Sequence, residues 1–314
     1  LARKTNEAII SAFYNQSESK ILSQAGNYIP YMSGIKCKTS LETEEKLRFL
    51  QSNRSPVMKW PDLPPEVLNK SDDHTLAIEL QKSLFFFPVH QSLNVSAIKK
   101  VGSLIGKNRN LRLNNDNYKL EWLKENEKDW QKYEEMVRKS NILQSWAYGK
   151  AKEKSEGWVV KRGVIKYKGN AIAIFQALEK SWFFIRAVRV NRGPLLINGN
   201  DDFETKYNIY RLLRKTWKLW KGRILFIAPE LEETPENIGV LKLSNFREKL
   251  SKPWQSALID LSSSESELRK KLNGKWRNQL KKSEQAGLKV IIDQSNNSFS
   301  WLLHRYTQMM KEKL

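Results

Sequence analysis

Cysteine is almost absent from this chain. Cys37 is the only one in 314 residues, which excludes a disulfide framework and a cysteine-based zinc site. Histidine is nearly as scarce. His74, His90 and His304 are scattered along the sequence and form no metal constellation. Long apolar runs are missing too. Stretches such as "LFFFPV" (84–89) fall far short of a membrane span. No basic-then-apolar segment opens the chain, so the cytosol (a cytoplasmic protein) is the default expectation. There is no CxxC, no serine–histidine–acid pattern and no phosphate-cradling loop, since "GIKCKTS" (34–40) lacks P-loop spacing. Negative charge is in deficit, with 34 acidic residues against 55 basic ones and a net charge of +21.

What is present argues for packed cores rather than disorder. Apolar residues make up 40% of the chain, and there are 11 tryptophans. The length suits two domains. Positive charge is uneven. Residues 1–117 hold 16 basic and 11 acidic residues, and residues 118–314 hold 39 and 23. The second part is therefore the one expected to meet an anion: phosphate, nucleotide, RNA or an acidic membrane face. The chain opens at Leu1 in helix-like sequence and stops at "HRYTQMMKEKL" (304–314) without a helix-stop signal, which predicts an internal piece of a longer protein.

Residues 1–107 alternate between helical and strand-like patterns. Helices are expected at 1–14, 40–53, 72–83 and 94–107, with Ser40 or Thr39 capping the second and Leu47 and Leu50 turned inward. Strands are expected within 27–37 and at 56–60 and 84–90, with a proline-ruled loop at 61–68. This is an α/β layer of modest size. His90, at the end of an apolar strand, reads as a packed or hydrogen-bonded structural residue. "RFLQSNRSPVMKWPDLPPEV" (48–67) followed by "LFFFPVHQSLNVSAIKKVGSLI" (84–105) resembles the C-terminal small domain of DegT-type, pyridoxal-phosphate-dependent sugar aminotransferases. The resemblance implies that the pyridoxal phosphate (PLP) and its Schiff-base lysine belong to a large domain upstream. It gives no lysine of this chain that role, and no cofactor in this fragment.

"GKNRNLRLNNDN" (106–117) is polar and reads as a linker, placed at 108–117. Beyond it come a strand (118–123) and helices at 127–140 and 142–157. Three strand-like runs follow (158–169, 170–180, 181–196), broken at "KGN" and "EKSW", then a helix (201–222) and a strand (223–231). "LQSWAYGKAKEKSEGWVVKRGVI", then "RGPLL", then "PWQSALIDLSSSESELRKKLNGKWRNQLKKSEQAGLKV" resembles the FemABX group of GNAT-related acyl- and aminoacyltransferases over residues 118–314. Better-known members attach amino acids from aminoacyl-tRNA to peptidoglycan precursors, and full-length members carry two GNAT-like halves. The resemblance implies the first half and the start of the second, truncated at the C-terminus. The expected class is thus α/β (α+β): a small aminotransferase-like α/β domain at 1–107, then a GNAT-like mixed, largely antiparallel sheet flanked by helices at 118–314.

The basic stretch at 264–286 carries the strongest site signal. Ser264 and Glu267 have capping-box spacing, and Gly287 sits where a helix would end. Read as one helix, it sets Leu268, Leu272, Trp276 and Leu280 along an apolar stripe, with Lys270, Arg277 and Lys281 opposite and Lys271, Lys275 and Lys282 on one flank. Many family members show "QSxxWGxxK". Here Trp146 comes earlier, Tyr148 takes the usual tryptophan place, and the lysine maps to Lys152. The resemblance implies that Lys152, Lys275, Arg277 and Lys281 bind the phosphates or sugar of a nucleotide- or lipid-linked acceptor such as a peptidoglycan precursor. The donor is either acyl-CoA or aminoacyl-tRNA. It leaves the catalytic residues unassigned. Peripheral contact with an anionic inner membrane is a further expectation. The competing reading is a non-catalytic basic module for RNA or an anionic membrane surface, with these lysines simply solvated. Trp158, Trp182, Trp217 and Trp220 fall among apolar periodic residues and are expected in the core.

Overall fold

The computed structural model describes residues 1–14, 20–22, 29–59, 62–105, 117–197, 199–249, 259, 261–287, 291–293 and 296–312. Helices alternate with largely antiparallel strands, in the α/β (α+β) class. Residues Leu1–Lys249 form one compact unit and Leu250–Leu314 a second.

The first unit begins with α1 (Ala2–Tyr14), β1 (Lys20–Leu22), β2 (Met32–Lys36), α2 (Ser40–Ser52), β3 (Met58–Lys59), α3 (Pro65–Asn69), α4 (Thr75–Ser83), β4 (Leu84–Pro88) and α5 (Val95–Ile105). Its four strands form an antiparallel sheet in the order β1-β2-β4-β3. Thr39 caps α2 by accepting from the Glu42 amide, and Leu47 and Leu50 are buried. The central strand β4 buries Phe85 and Phe87 edge to face, 5.5 Å apart. The segment expected as a loop at 61–68 starts α3 instead. Pro65 stands at its first turn, where a fixed φ suits a helix and the missing N–H costs nothing.

The unit continues with β5 (Tyr118–Trp122), α6 (Glu127–Glu134), a 3₁₀ turn (Ile142–Gln144), α7 (Trp146–Glu156), β6 (Val159–Tyr167), β7 (Asn170–Trp182), β8 (Ile185–Asn191), β9 (Leu195–Leu196), α8 (Phe203–Thr216), a 3₁₀ turn (Leu219–Lys221), β10 (Arg223–Ala228) and α9 (Pro235–Leu243). The second sheet runs β10-β8-β7-β6-β5, with β9 also on β7. All its pairings are antiparallel except β8 with β10. One face packs on Trp130, Leu195 and Ile197, with Trp146 beside them. The other buries Phe175, Ala177, Val188 and Val190 in the cluster that holds Tyr210, Leu213 and Trp217.

Several expectations shift here. The helix expected over 127–140 ends at Glu134, and the strand-like run expected over 181–196 divides into β8 and β9. The helix expected over 142–157 opens with the 3₁₀ turn, because Ser145 is extended and caps α7 through the Tyr148 amide. The break expected at "EKSW" is absent: β7 runs on to Trp182, and the turn falls at Phe183–Phe184. The helix expected to reach 222 ends at Thr216. The "KGN" hairpin holds, with Lys168 and Gly169 both at positive φ.

The linker expected at 108–117 lies, apart from Asn117, outside the described residues. Each sheet is built from one side of it. Helices α1, α5 and α9 nevertheless pack together within the one unit, burying Ile9 and Val240. Lys99 of α5 donates to the Leu243 carbonyl (2.8 Å) at the end of α9.

In the second unit, the single helix expected over 264–286 is two: α10 (Glu265–Lys271) and α11 (Gly274–Gln285). They are followed by α12 (Asn296–Glu312). The capping box of Ser264 and Glu267 is present, and Gly287 has φ 67°. Leu272 turns extended, and Asn273 caps α11 by accepting from the Lys275 amide. Gly274 therefore opens a helix rather than weakening the middle of one. The apolar stripe does not run continuously, and Trp276 is 68% exposed. Arg269 ties the pair together, donating to Glu265 (2.8 Å) and to both oxygens of Glu284 (2.5 and 3.2 Å).

Candidate functional site

β7 is longer than any one neighbour on its far edge. β8 pairs with Leu178–Trp182 and β9 with Ala173 and Ile174, which leaves a gap at 175–177. The side chain of Gln144 fills it. Its Oε1 accepts from the Gln176 amide (2.6 Å), and its Nε2 donates to the Asn191 carbonyl (2.7 Å) and the Gln176 carbonyl (3.2 Å). A fully buried side-chain amide thus does the work of a strand residue. Gly193 lies so close that a Cβ there would sit 2.8 Å from that amide. Asn141 secures the same loop by donating to the Arg192 carbonyl (2.9 Å) and Glu230 (2.7 Å). The "LQS" and "RGP" segments, far apart in sequence, meet at this point.

Helix α7 starts beside it. Gln176 Nε2 donates to the Ser145 carbonyl (3.1 Å), and Arg162 Nη2 to the Trp146 carbonyl (3.2 Å). The buried guanidinium of Arg162 stacks on the Trp146 ring at 3.7 Å and lies 5.9 Å from the centre of Trp130. Among the described residues no carboxylate comes within ion-pair distance of it, and burial lowers its pKa to about 10. A cleft of about 190 Å³ opens where Trp122–Glu125 leaves Val160–Arg162. Gly149 lets the helix come this close. A Cβ there would meet Gln176 Oε1 at 2.2 Å and Arg162 Nη2 at 2.4 Å. Gly149→Ala is therefore expected to destabilise the first unit by about 1–3 kcal/mol, read as a lower urea midpoint with an unchanged slope. An unchanged midpoint would mean that α7 can move away freely.

Lys152 sits one turn further on. It pairs with Glu156 and lies 5.6 Å from the centre of the Tyr148 ring. The Glu156 hydrogen bond raises its pKa. Glu156 also accepts from the Trp158 indole (2.9 Å), so the lysine and the "GW" of the motif are tied through one carboxylate. Lys180 and Arg189 both lie over the Trp158 ring, at 5.5 and 5.3 Å. Three cations thus gather around Trp158 and Glu156 at the C-terminal end of α7, where the helix dipole also favours positive charge.

Lys152 belongs to the first unit, and Lys275, Arg277 and Lys281 to the second. Along α11, Arg277 and Lys281 stand one turn apart on one face, with Lys275 on the adjoining flank. All three are exposed. Arg277 donates to the carbonyls of Leu272 (3.0 Å) and Lys270 (3.4 Å), closing the end of α10. Lys275 and Lys281 have no acidic partner among the described residues.

Sequence reasoning passed over Arg162, Gln176 and Glu179. The signal was strand parity: Phe175, Ala177 and Glu179 share the core face of β7, so a carboxylate there must find partners. Glu179 accepts from the Trp217 indole (2.7 Å) and lies 3.3 Å from Arg186 and 3.4 Å from Lys161. His90 is hydrogen-bonded, as expected, its Nδ1 2.7 Å from Ser92 Oγ. Among the described residues no cluster could hold a metal, and no helix is long and apolar enough to cross a membrane.

No family model matches this chain, and no curated protein does. Among solved structures, a chain described as FemX is similar, with a TM-score of 0.40 and 18% identity. The match covers 51% of this chain and spans 42% of the length of that one.

Proposed function

We propose that residues 118–314 are part of a FemABX-like transferase that moves an acyl or aminoacyl group onto an amine of a nucleotide- or lipid-linked sugar, such as a peptidoglycan precursor. The observation that supports this most is the Gln144 junction. Two segments of the FemABX-like motif, "LQS" and "RGP", interlock there, and a third, the lysine with "GW", is tied together by Glu156 alongside. Lys152, Lys275, Arg277 and Lys281 are the residues we assign to the acceptor's diphosphate and sugar. A diphosphate calls for fixed cations, and a guanidinium can bind two oxygens at once. The donor is acyl-CoA or aminoacyl-tRNA.

The test is calorimetric titration with a nucleotide-linked amino sugar at two salt concentrations. Lys281→Ala is expected to weaken binding by about 1.5–3 kcal/mol, roughly ten- to a hundredfold. Lys282→Ala, on the flank, should change it by well under about 1 kcal/mol. Arg277→Lys keeps the charge while removing the fork, and is expected to fall between them. Equal binding by all variants would remove α11 from the acceptor site.

Residues 1–107 are read, on the DegT-like motifs alone, as an aminotransferase small domain whose PLP belongs to an upstream domain. The resemblance gives none of the lysines here the Schiff-base role, and four of them are engaged elsewhere. Lys36, Lys46 and Lys59 pair with Glu79, Glu42 and Glu44, and Lys99 donates to a helix end. Added pyridoxal phosphate is therefore expected to give no internal-aldimine absorbance with this chain.

A further inference from the structure

The β7–β8 hairpin ends in an aromatic tip that nothing in the proposed transfer reaction uses. Trp182 is 77% exposed, Phe183 83% and Phe184 92%. Their rings are neighbours, 5.9 and 6.3 Å apart. The 3₁₀ turn before β10 lies beside this tip, since Arg186 donates to the Gly222 carbonyl and the Phe184 carbonyl would be only 2.4 Å from a Cβ on Gly222. That turn adds Leu219 and Trp220, the latter 75% exposed. Five large apolar side chains therefore project from one corner of the sheet, a feature that marks an interaction surface.

The charged residues of the tip and of the turn beside it are positive, and Glu179, further down the hairpin, is buried and held by Arg186 and Lys161. Residues 180–200 and 205–229 contain no aspartate or glutamate. Lys218 and Lys221 lie over the Trp220 ring, at 5.5 and 5.0 Å, and Lys180 stands two residues before Trp182, opposite Ala187, donating to the Glu156 carbonyl (3.0 Å). The turn itself is unusual. Phe183 has φ 50°, a conformation that glycine or asparagine adopts readily and a bulky aromatic does not. Folding alone would favour a smaller residue there, so the aromatic is held at some cost.

We propose that this tip is a membrane-docking element that inserts Trp182, Phe183, Phe184 and Trp220 into the interface of an anionic bilayer, with Lys180, Lys218 and Lys221 at headgroup level. Tryptophan suits that depth because one edge of the ring is apolar and the other can hydrogen-bond. The lysines supply attraction to the lipid phosphates. The shape agrees, because a projecting hairpin end enters a soft interface without needing a complementary groove. The inference is independent of the transfer reaction.

The test is co-sedimentation of the 314-residue chain with vesicles of phosphatidylglycerol and phosphatidylcholine, and with phosphatidylcholine alone. Binding to the anionic vesicles with a blue shift of indole emission is expected. The triple variant Trp182→Ser, Phe183→Ser, Phe184→Ser should lose about tenfold or more in partitioning with an unchanged thermal melt, since the side chains are exposed. If the triple variant folds poorly, Phe184→Ser alone serves, and it should still weaken binding measurably. Lys218→Gln and Lys221→Gln should each cost about fivefold on anionic vesicles only. Unimpaired binding by the aromatic variants overturns the proposal. So does wild-type chain that ignores anionic vesicles. So would a vesicle-free dimer lost in the triple variant, or competition by single-stranded RNA that depends on the same aromatics; either would assign the tip to another partner.

Discussion

Gln144→Ala is expected to destabilise the first unit by about 3–5 kcal/mol, measured by urea unfolding followed through tryptophan emission. The Gln176 amide would lose its acceptor, and the Gln176 and Asn191 carbonyls their shared donor, in a place water does not reach. Each buried group left unpaired costs about 1–3 kcal/mol. Removing the side chain also leaves a cavity between β7 and the loop that carries Gly193. Gln144→Met separates the two contributions, since it keeps most of the volume and none of the hydrogen bonds. It should recover only the cavity part. Gln144→Glu should do no better, because a carboxylate keeps the acceptor for Gln176 but turns a negative oxygen toward the Asn191 carbonyl. If Met restores wild-type stability, the gap in β7 is held by packing and not by the amide.

The parts of this fold that were legible in the sequence are the locally encoded ones. Thr39, Ser264 and Gly287 act within a few residues of themselves, and the structure places each in its expected role. The "KGN" hairpin was legible for the same reason. The turn at Phe183–Phe184 was not, because it contains none of the residues that make a turn cheap. The break between α10 and α11 was signalled by Asn273–Gly274, a cap followed by a weak helix former, but a four-residue apolar spacing ran across it and suggested continuity.

Burial was the harder inference. Trp182, Trp217 and Trp220 have similar neighbours in sequence, and only Trp217 is in the core. Helical or alternating spacing says which side chains share a face. It does not say where the sheet ends: Trp182 closes β7 at a corner of the sheet, and Trp220 lies in the 3₁₀ turn before β10. The site residues divide along the same line. Lys152, Lys275, Arg277 and Lys281 came from motif position, and the local surroundings of each are now visible, such as the hold of Arg277 on the end of α10. Arg162 and Glu179 could have been singled out by strand parity. Their partners Trp146 and Trp217 lie on separate elements, which only tertiary packing brings together.

Trp217→Ala should be among the most damaging single changes in the chain, at about 4 kcal/mol or more. Trp217 is 1% exposed and caps the end of α8. Its ring meets Phe175 and Trp122 edge to face, with centres 5.9 and 5.7 Å apart, so its loss empties an aromatic cluster on the core face of the sheet. Its indole N–H is also the shortest hydrogen bond to the buried Glu179 carboxylate, at 2.7 Å. Trp217→Phe fills most of the cavity and removes only that donor. It should cost about 1.5–3 kcal/mol, the range for a hydrogen bond to a charged group. Glu179→Gln in the Trp217→Phe background should return part of that loss, since an amide tolerates a missing donor better than a carboxylate does. The double-mutant cycle, measured by urea unfolding, then gives the coupling between the two side chains. A coupling near zero would show that Arg186 and Lys161 already satisfy Glu179, leaving Trp217 a packing residue alone.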